Sequence, residues 1–373
     1  MDNITHSLVG LALAETGLKR ATPLATATLV IAANFPDIDI VTGLSGSLFY
    51  LEHHRGITHA LVALPVLSLL LAALIFWYSR WKGRGARFAP LAGLSLLGIV
   101  THPLLDFLNS YGWRPFLPWN HRWFYGDTAF VIDPWLWVFL SGALFITTAK
   151  TRLQSYFWTA LFVLMAAVVI SSGNVSPVIR IVWLALAACA FLWRRRADSD
   201  ERTARMVGVS LLLAMMVYFG ALAWLHRMAL DKTGELARAV AARDGGGQVQ
   251  TSAMPTPANP LVWRAVVATD RAYYLADLDL TQPLPASESM ARYQRESGDS
   301  SLIAAARRTT EAGIFLRFAR FPVSEVINSG QNGLPAEVEI RDVRFQNQGV
   351  TSTFRTRIRL DKNFHPLVER QSD

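Results

Sequence analysis

Residues 89–108 read APLAGLSLLGIVTHPLLDFL, and this stretch combines a membrane-like composition with two side chains of metal-ligand type. Its twenty residues reach the length that a helix needs to cross a bilayer. His102 and Asp106 are four positions apart, so a helix places both on one face. A carboxylate at the middle of a bilayer costs roughly 2.5–3.5 kcal/mol. A bound cation is the simplest way to stabilise it, and the stretch therefore predicts a membrane helix that carries part of a metal site.

Further apolar segments lie on both sides of this stretch. They cover about 5–18, 22–41, 60–78, 130–148, 156–171, 178–193 and 206–225. Only 17% of the chain is charged, whereas a soluble domain carries about 25%. We predict a mainly α fold, in which a polytopic helical membrane domain with about eight apolar helices spans residues 1–226. A linker at 227–260, rich in Gly, Pro and Ser, precedes a small extramembrane β-rich domain at 261–373.

The last third of the chain has strand composition. Predicted strands cover Leu261–Ala268, Ala272–Leu280, Ile314–Phe321, Glu337–Phe345 and Thr353–Leu360. Several of these runs alternate apolar and charged residues, and a period of two indicates half-buried strands. We therefore expect a small antiparallel β domain outside the membrane.

The net charge of +8 is interpreted as a topology signal. Most basic residues lie in short loops between apolar segments, as in membrane proteins, so no nucleic-acid partner is expected. The one cysteine, Cys189, excludes a disulfide or a thiolate metal site within one chain. The first residues lack a basic region and a cleavage site, and we expect no removable signal peptide.

Counting basic residues in alternate loops predicts the orientation. One set of loops holds Lys19, Arg20, Arg80, Lys82, Arg84, Arg87, Lys150, Arg152, Arg194, Arg195, Arg196, Arg202 and Arg205. The other set holds only Arg55, Arg114 and Arg122. The first set should be cytoplasmic. Both termini, the β-rich domain and the loops at 42–59, 109–129 and 172–177 are then outside.

Candidate metal ligands all fall at the same, non-cytoplasmic ends of the segments. They are His6, Asp37, Asp39, His54, His59, His102 and Asp106. The basic-residue count used none of these residues, so the agreement is nearly independent support for a site on that face. Imidazole and carboxylate ligands together suit zinc, iron or manganese. We expect one or two divalent ions per chain, with zinc as the first choice, because seven groups exceed the needs of a single catalytic zinc.

Two motifs predict roles beyond simple ligation. In Asn34–Asp39, NFPDID, proline biases Phe35 away from the helix. The two carboxylates can then both face one site, or one can face the metal and the other a ligand histidine. In His53–His59, HHRGITH, Arg55 adds a fixed cation suited to an anionic substrate oxygen. The candidate general base is Asp127, after an aromatic loop, or an aspartate of the NFPDID pair that is not a ligand. We assign Arg55 and Asp127 as the catalytic residues.

The motifs HSLVG, NFPDID, HRGITHA and HPLLDF, in that order on apolar helices, resemble the YdjM-like family of inner-membrane predicted metal-dependent hydrolases. The resemblance covers roughly residues 1–145. It implies a bacterial inner-membrane location, a hydrolase activity, and the same seven ligand candidates together with Arg55. The ligand pattern is also weakly similar to zinc-dependent phospholipase C and nuclease folds, which favours phosphoester chemistry. The family resemblance does not explain the later apolar segments or the β-rich domain.

Three functions of different classes remain open. The leading hypothesis is a multi-pass hydrolase of the bacterial inner membrane that acts at the periplasmic face on a phosphoester or lipid-linked substrate through metal-activated water. A metal-ion or proton transporter would place its ligands near mid-membrane, with access from both sides. A non-catalytic scaffold would hold a structural metal in a closed coordination shell. The bilayer is the expected partner, and the oligomeric state is not predicted.

Overall fold

A computed structural model describes most of the chain. The described residues are 1–173, 175–194, 200–244, 247–330, 334–346 and 354–367. Arg195 and Arg196, which enter the topology prediction, lie outside them, as does Thr353, the first residue of a predicted strand.

Helices dominate the first two thirds of the chain. Among the described residues they are α1 (Asn3–Glu15), α2 (Ala25–Ala32), α3 (Ser47–His53), α4 (Ala63–Trp81), α5 (Phe88–Phe107), α6 (Pro134–Thr148), α7 (Arg152–Ser171), α8 (Pro177–Arg194), α9 (Glu201–Arg243), α10 (Ser300–Arg307) and α11 (Thr310–Phe318). The prediction of a mainly helical membrane domain followed by a β-rich region is confirmed.

The predicted number of about eight membrane helices is not confirmed. Within the described ranges, α4, α5, α7, α8 and α9 are long and apolar enough to cross a bilayer. A sixth candidate is a pair, α2 and the 3-10 turns of Phe35–Ser45, bent by 47° at the break between them. At 13 and 15 residues, α1 and α6 fall short of the ~20 residues that a spanning helix needs.

Proline accounts for the break after α2. The residue before a proline avoids helical backbone, and α2 ends at Ala32, with Phe35 and Pro36 opening the 3-10 turns. Asp37 and Asp39 therefore lie on a 3-10 helix and not on α2. With about three residues per turn, residues two positions apart on a 3-10 helix point in different directions.

Glycines bring α1, α2 and α5 into close contact. A side chain at Gly10 would meet the Leu29 carbonyl oxygen at 2.8 Å, and one at Gly98 would meet the Ala32 Cβ at 2.5 Å. Real Cβ atoms do not approach so closely, so both positions require glycine for this packing. The close approach brings the end of α5 next to the start of α1 and the end of α2.

The strands within the described residues form two four-stranded sheets. They are β1 (Gln250–Thr256), β2 (Asn259–Ala268), β3 (Ala272–Asp279), β4 (Ala291–Gln294), β5 (Glu296–Ser297), β6 (Pro322–Ser329), β7 (Ala336–Asp342) and β8 (Arg355–Leu360). The sheet orders are β1-β2-β3-β4 and β5-β6-β7-β8. The short pair β5–β6 is parallel, and β6–β7 and β7–β8 are antiparallel. The expectation of a purely antiparallel domain therefore needs correction at β5 and β6.

The predicted strand at Ile314–Phe321 is wrong, because most of it belongs to helix α11. The Thr309 side chain accepts a hydrogen bond from the Ala312 backbone N–H and caps the helix. Ala312, Phe315 and Phe318 are buried with a spacing of three, which is a helical and not a strand period.

Regular structure also occupies much of the stretch predicted as linker. Helix α9 continues to Arg243, and β1 begins at Gln250. The last turns of α9 bury Leu236 and Val240 in a core with Tyr274. An amphipathic continuation of the helix therefore replaces the start of the expected linker.

The chain divides into two compact units. The first holds 1–39, 55–227 and 254–262, and the second holds 40–54, 228–253 and 263–373. The core of the first unit includes Trp137, Leu144 and Trp183. A core of the second unit includes Phe315, Val338 and Ile340.

Candidate metal centre

Four of the seven predicted ligands meet in the first unit. Asp37, His59, His102 and Asp106 each offer one ligand atom, and these atoms all lie within 4.8 Å of one another. They come from the 3-10 turns after α2, the 3-10 turn Ile57–His59 before α4, and the end of α5.

The two histidine nitrogens lie at similar distances from each other and from the two carboxylate oxygens. The Nε2 atoms of His59 and His102 are 3.1 Å apart. Asp37 Oδ1 lies 3.4 Å from His59 Nε2 and 3.3 Å from His102 Nε2. Asp106 Oδ2 lies 3.6 and 3.4 Å from the same two nitrogens. Donors bound 2.0–2.1 Å from a tetrahedral zinc are about 3.3–3.4 Å apart, so two nitrogens and two carboxylate oxygens fit one divalent cation.

Each ligand histidine is held through its Nδ1, the ring nitrogen that is not the donor atom. His102 Nδ1 lies 2.7 Å from the Ala33 carbonyl oxygen, to which it donates. His59 Nδ1 lies 3.3 Å from Asp39 Oδ2. A ligand histidine usually donates its second N–H to a carbonyl or carboxylate, which fixes the tautomer and leaves Nε2 as the metal ligand.

Asp39 therefore has a different place from Asp37. Besides its contact with His59, its Oδ2 accepts hydrogen bonds from the Arg55 backbone N–H at 2.9 Å and the Thr58 hydroxyl at 3.3 Å. Around the four-donor group, one carboxylate of the Asp-x-Asp motif is a donor and the other lies beside a ligand histidine.

His6 packs against the donor group without belonging to it. Its ring stacks on His102 with centroids 3.9 Å apart, and its Nε2 lies 3.5 Å from Asp106 Oδ1. Within the described part of the chain, the buried His6 Nδ1 has no hydrogen-bond partner. Buried polar atoms are rarely left unpaired, so the neighbourhood of His6 can accept a further polar group.

Arg55 is buried and engaged with protein groups. Its Nη2 donates to Asp106 Oδ1 at 2.9 Å, and its Nη1 donates to Asn109 Oδ1 at 3.1 Å and to the Gly112 carbonyl at 2.9 Å. Its guanidinium also lies 4.7 Å from the centre of the Tyr111 ring. Its backbone φ of +50° is rare for a non-glycine residue, and such residues cluster at functional sites.

Like His6, Asp39 and Arg55, the predicted site residues His54 and Asp127 lie outside the four-donor group. His54 belongs to the second unit, where it follows α3 and its ring stacks on Tyr50 with centroids 4.6 Å apart. Asp127 is buried, with a φ of +49°, on a loop held to the end of α5 by the Gly126 N–H, which donates to the Phe107 carbonyl at 2.7 Å. The catalytic roles of Arg55 and Asp127 stay predictions.

Sequence reasoning missed several groups around the donors. The Met1 amine donates to Asp106 Oδ1. Asn109 is fully buried and binds Arg55, and it lies three positions after Asp106, just past the end of α5, a spacing that could have identified it. Trp113, which resembles an interfacial aromatic in the sequence, is buried and donates from Nε1 to the His59 carbonyl at 2.7 Å.

Solvent exposure differs among the four donors. The side chains of His59 and His102 are 0% exposed and that of Asp106 is 1% exposed, whereas Asp37 retains 18%. Asp37 therefore marks the side from which an ion or a small molecule can reach the donor group.

Comparison with known proteins agrees with the motifs. Residues 1–175 match the model of the family described as YdjM inner membrane protein, which confirms the resemblance and extends past α7. Over 149 residues the chain is 29% identical to the uncharacterized protein YfhP of Bacillus subtilis (strain 168). That alignment covers 37% of this chain, and the chain spans about two fifths (43%) of YfhP. No solved structure matches. The family match and the apolar helices together support a multi-pass inner membrane protein.

Proposed function

We propose that this protein is a membrane-bound, metal-dependent hydrolase whose ion is held by Asp37, His59, His102 and Asp106. The observation that carries the proposal is the convergence of their donor atoms, with separations of 3.1–3.6 Å between the histidine nitrogens and their neighbours. Buried carboxylates are costly unless they are paired or coordinate a cation. Two unprotonated Nε2 atoms at this distance also repel each other unless a positive charge lies between them.

A bound divalent cation would act as a Lewis acid toward a phosphoryl oxygen and would lower the pKa of water. The residues of the chain have separate tasks. Arg55 binds one oxygen of Asp106, so that the other oxygen faces the two histidines. Asp39 orients His59, and the exposed edge of Asp37 admits the substrate. Asp127 is our candidate proton acceptor.

The substrate class that we propose is a phosphoester or lipid-linked phosphoester at the periplasmic face. Its support is the position of the donors at one end of the apolar elements: after α2, before α4 and in the last turns of α5. The basic-residue asymmetry favours the periplasmic side for that end. A site beside the headgroups suits a substrate that stays anchored in the bilayer.

The test compares two histidines of one motif. His59→Ala removes a donor, while His53→Ala changes an exposed residue six positions earlier. Purified full-length variants in detergent are analysed for bound metal by mass spectrometry and for hydrolysis of bis-4-nitrophenyl phosphate. We expect His59→Ala to lose both metal and hydrolysis and His53→Ala to keep both. Retention of metal and hydrolysis by His59→Ala would refute the proposal.

A structural metal is the second candidate, and one observation favours it. Four protein donors fill a tetrahedral zinc shell, whereas catalytic zinc sites keep one position open. X-ray absorption of the metal-loaded protein distinguishes the two functions. Four protein donors and no water indicate a structural ion in a scaffold, and a coordinated water or a fifth ligand supports the hydrolase.

A further inference from the structure

A second candidate site lies in the β-rich unit, apart from the residues of the metal centre. A cavity of about 610 Å³ opens beside the turn before β3, the junction of β4 and β5, and helix α10. Its volume is in the range of small-molecule sites, which are about 300–1,000 Å³.

Basic side chains dominate the lining of this cavity. It holds the four arginines Arg271, Arg292, Arg295 and Arg307 but only two carboxylates, Asp270 and Glu296. Arg307 is already paired with Glu296 at 2.5 Å. In the described part of the chain, the other three arginines form no ion pair within 4.0 Å, so the lining carries uncompensated positive charge.

Arg295 is the best-fixed of these arginines. Its backbone N–H donates to the Arg271 carbonyl at 3.0 Å, and its carbonyl accepts from the Ser324 N–H at 2.8 Å, which ties the first sheet to the second. Its guanidinium lies 4.7 Å from the centre of the Tyr273 ring. Its buried Nε has no hydrogen-bond partner among the described residues, and an unpaired buried donor is costly.

We propose that this cavity binds a small oxyanion ligand, a phosphate group being the chemistry that fits best. The arginine fork donates two parallel hydrogen bonds to such oxygens. A bound phosphate would neutralise the excess positive charge of the lining. The group is supplied either by a soluble phosphorylated compound or by the headgroup of an anionic lipid.

Arg271 and Arg308 provide a matched pair of charge reversals. Both residues are exposed, and Arg308 directly follows Arg307 in the chain but does not line the cavity. Arg271→Glu and Arg308→Glu change the net charge equally, so a general electrostatic effect would alter both variants alike.

The experiment is calorimetric titration of the full-length protein in neutral detergent with pyrophosphate. All titrations use the His59→Ala background with chelator present, so that pyrophosphate binding at the metal centre does not contribute. We expect saturable binding that Arg271→Glu weakens at least tenfold and Arg308→Glu weakens less than twofold. No binding by the background protein, or equal weakening by the two reversals, would overturn the proposal.

Nanodiscs distinguish the two sources of phosphate. The same titration is repeated in phosphatidylcholine discs and in discs that contain phosphatidylglycerol. If pyrophosphate binds more weakly in the phosphatidylglycerol discs, and Arg271→Glu removes this difference between the two discs, the occupant is a lipid headgroup. Equal affinity in both discs identifies a soluble phosphate compound. Because this site and the metal centre share no residue, failure of the titration leaves the proposed hydrolase untouched.

Discussion

The Nε2 atoms of His59 and His102 lie 3.1 Å apart, although 43 positions separate the two residues in the chain. Each ring is held through its other nitrogen, His102 by the Ala33 carbonyl and His59 by Asp39. Both lone pairs therefore point to the same place. Two histidines held in this way are a preorganised pair of ligands, and this relationship leads to the predictions below.

Asp39→Asn should weaken metal binding without abolishing it. The amide keeps the size of the side chain but loses the charge that orients His59. Loss of such an outer contact typically costs 10–100-fold in metal affinity. Competition with a chelating dye measures the affinity. Asp37→Asn should lower the metal affinity more than Asp39→Asn does, because Asp37 is itself a donor.

Asp133→Asn is the control for this experiment. Asp133 is also buried, but it caps α6 and accepts a hydrogen bond from Tyr218. Metal affinity should stay at the wild-type value in this variant. If Asp39→Asn also keeps wild-type affinity, Asp39 has no role in orienting His59.

Arg55→Lys should reduce both stability and hydrolysis. Lysine keeps the charge but cannot reach Asp106, Asn109 and Gly112 at once, because it lacks the planar fork of arginine. The unpaired acceptors should cost about 1–3 kcal/mol. Thermal unfolding in detergent measures the loss. Arg122→Lys, at an exposed position, should unfold like the wild type, and an equal melting temperature for Arg55→Lys would contradict the prediction.

Removal of the metal should lower the melting temperature reversibly. A ligand that binds only the folded protein stabilises it by about 2.7 kcal/mol at a hundredfold excess over its dissociation constant. Dialysis against a chelator should remove this stabilisation, and zinc or manganese should restore it. His59→Ala should melt at one temperature with and without metal. A metal-dependent shift that persists in His59→Ala would place the ion elsewhere.

Gly98→Ala should destabilise the membrane domain, whereas Gly93→Ala on the same helix should not. A Cβ at Gly98 would lie 2.5 Å from the Ala32 Cβ, so α2 and α5 would have to separate, at a cost of about 1–3 kcal/mol. A Cβ at Gly93 would meet no atom of the described residues within 4 Å, and alanine is the better helix former. Thermal unfolding and metal content are measured together. Gly98→Ala should reduce both, because the same contact positions Ala33 beside His102.

Much of the fold could be predicted from local patterns. Apolar stretches such as 89–108 identify membrane helices because their length and composition are local properties. Ile314–Phe321 could not be identified correctly, because a short apolar run fits both a strand and a helix. There the Thr309 cap and the packing of Phe315 in the second unit favoured the helix.

The motifs alone predict the residue types of the site and the membrane face on which these residues lie. The motifs could not separate Asp37 from Asp39, or His59 from His54, since each pair has the same side chain within a few positions. Tertiary contacts place Asp37 and His59 together with His102 and Asp106 in the four-donor group. Ligand distances depend on the break before Phe35, which the nearby Pro36 favours. They also depend on how closely α2 and α5 approach at Gly98, and that approach follows from packing between segments far apart in the chain.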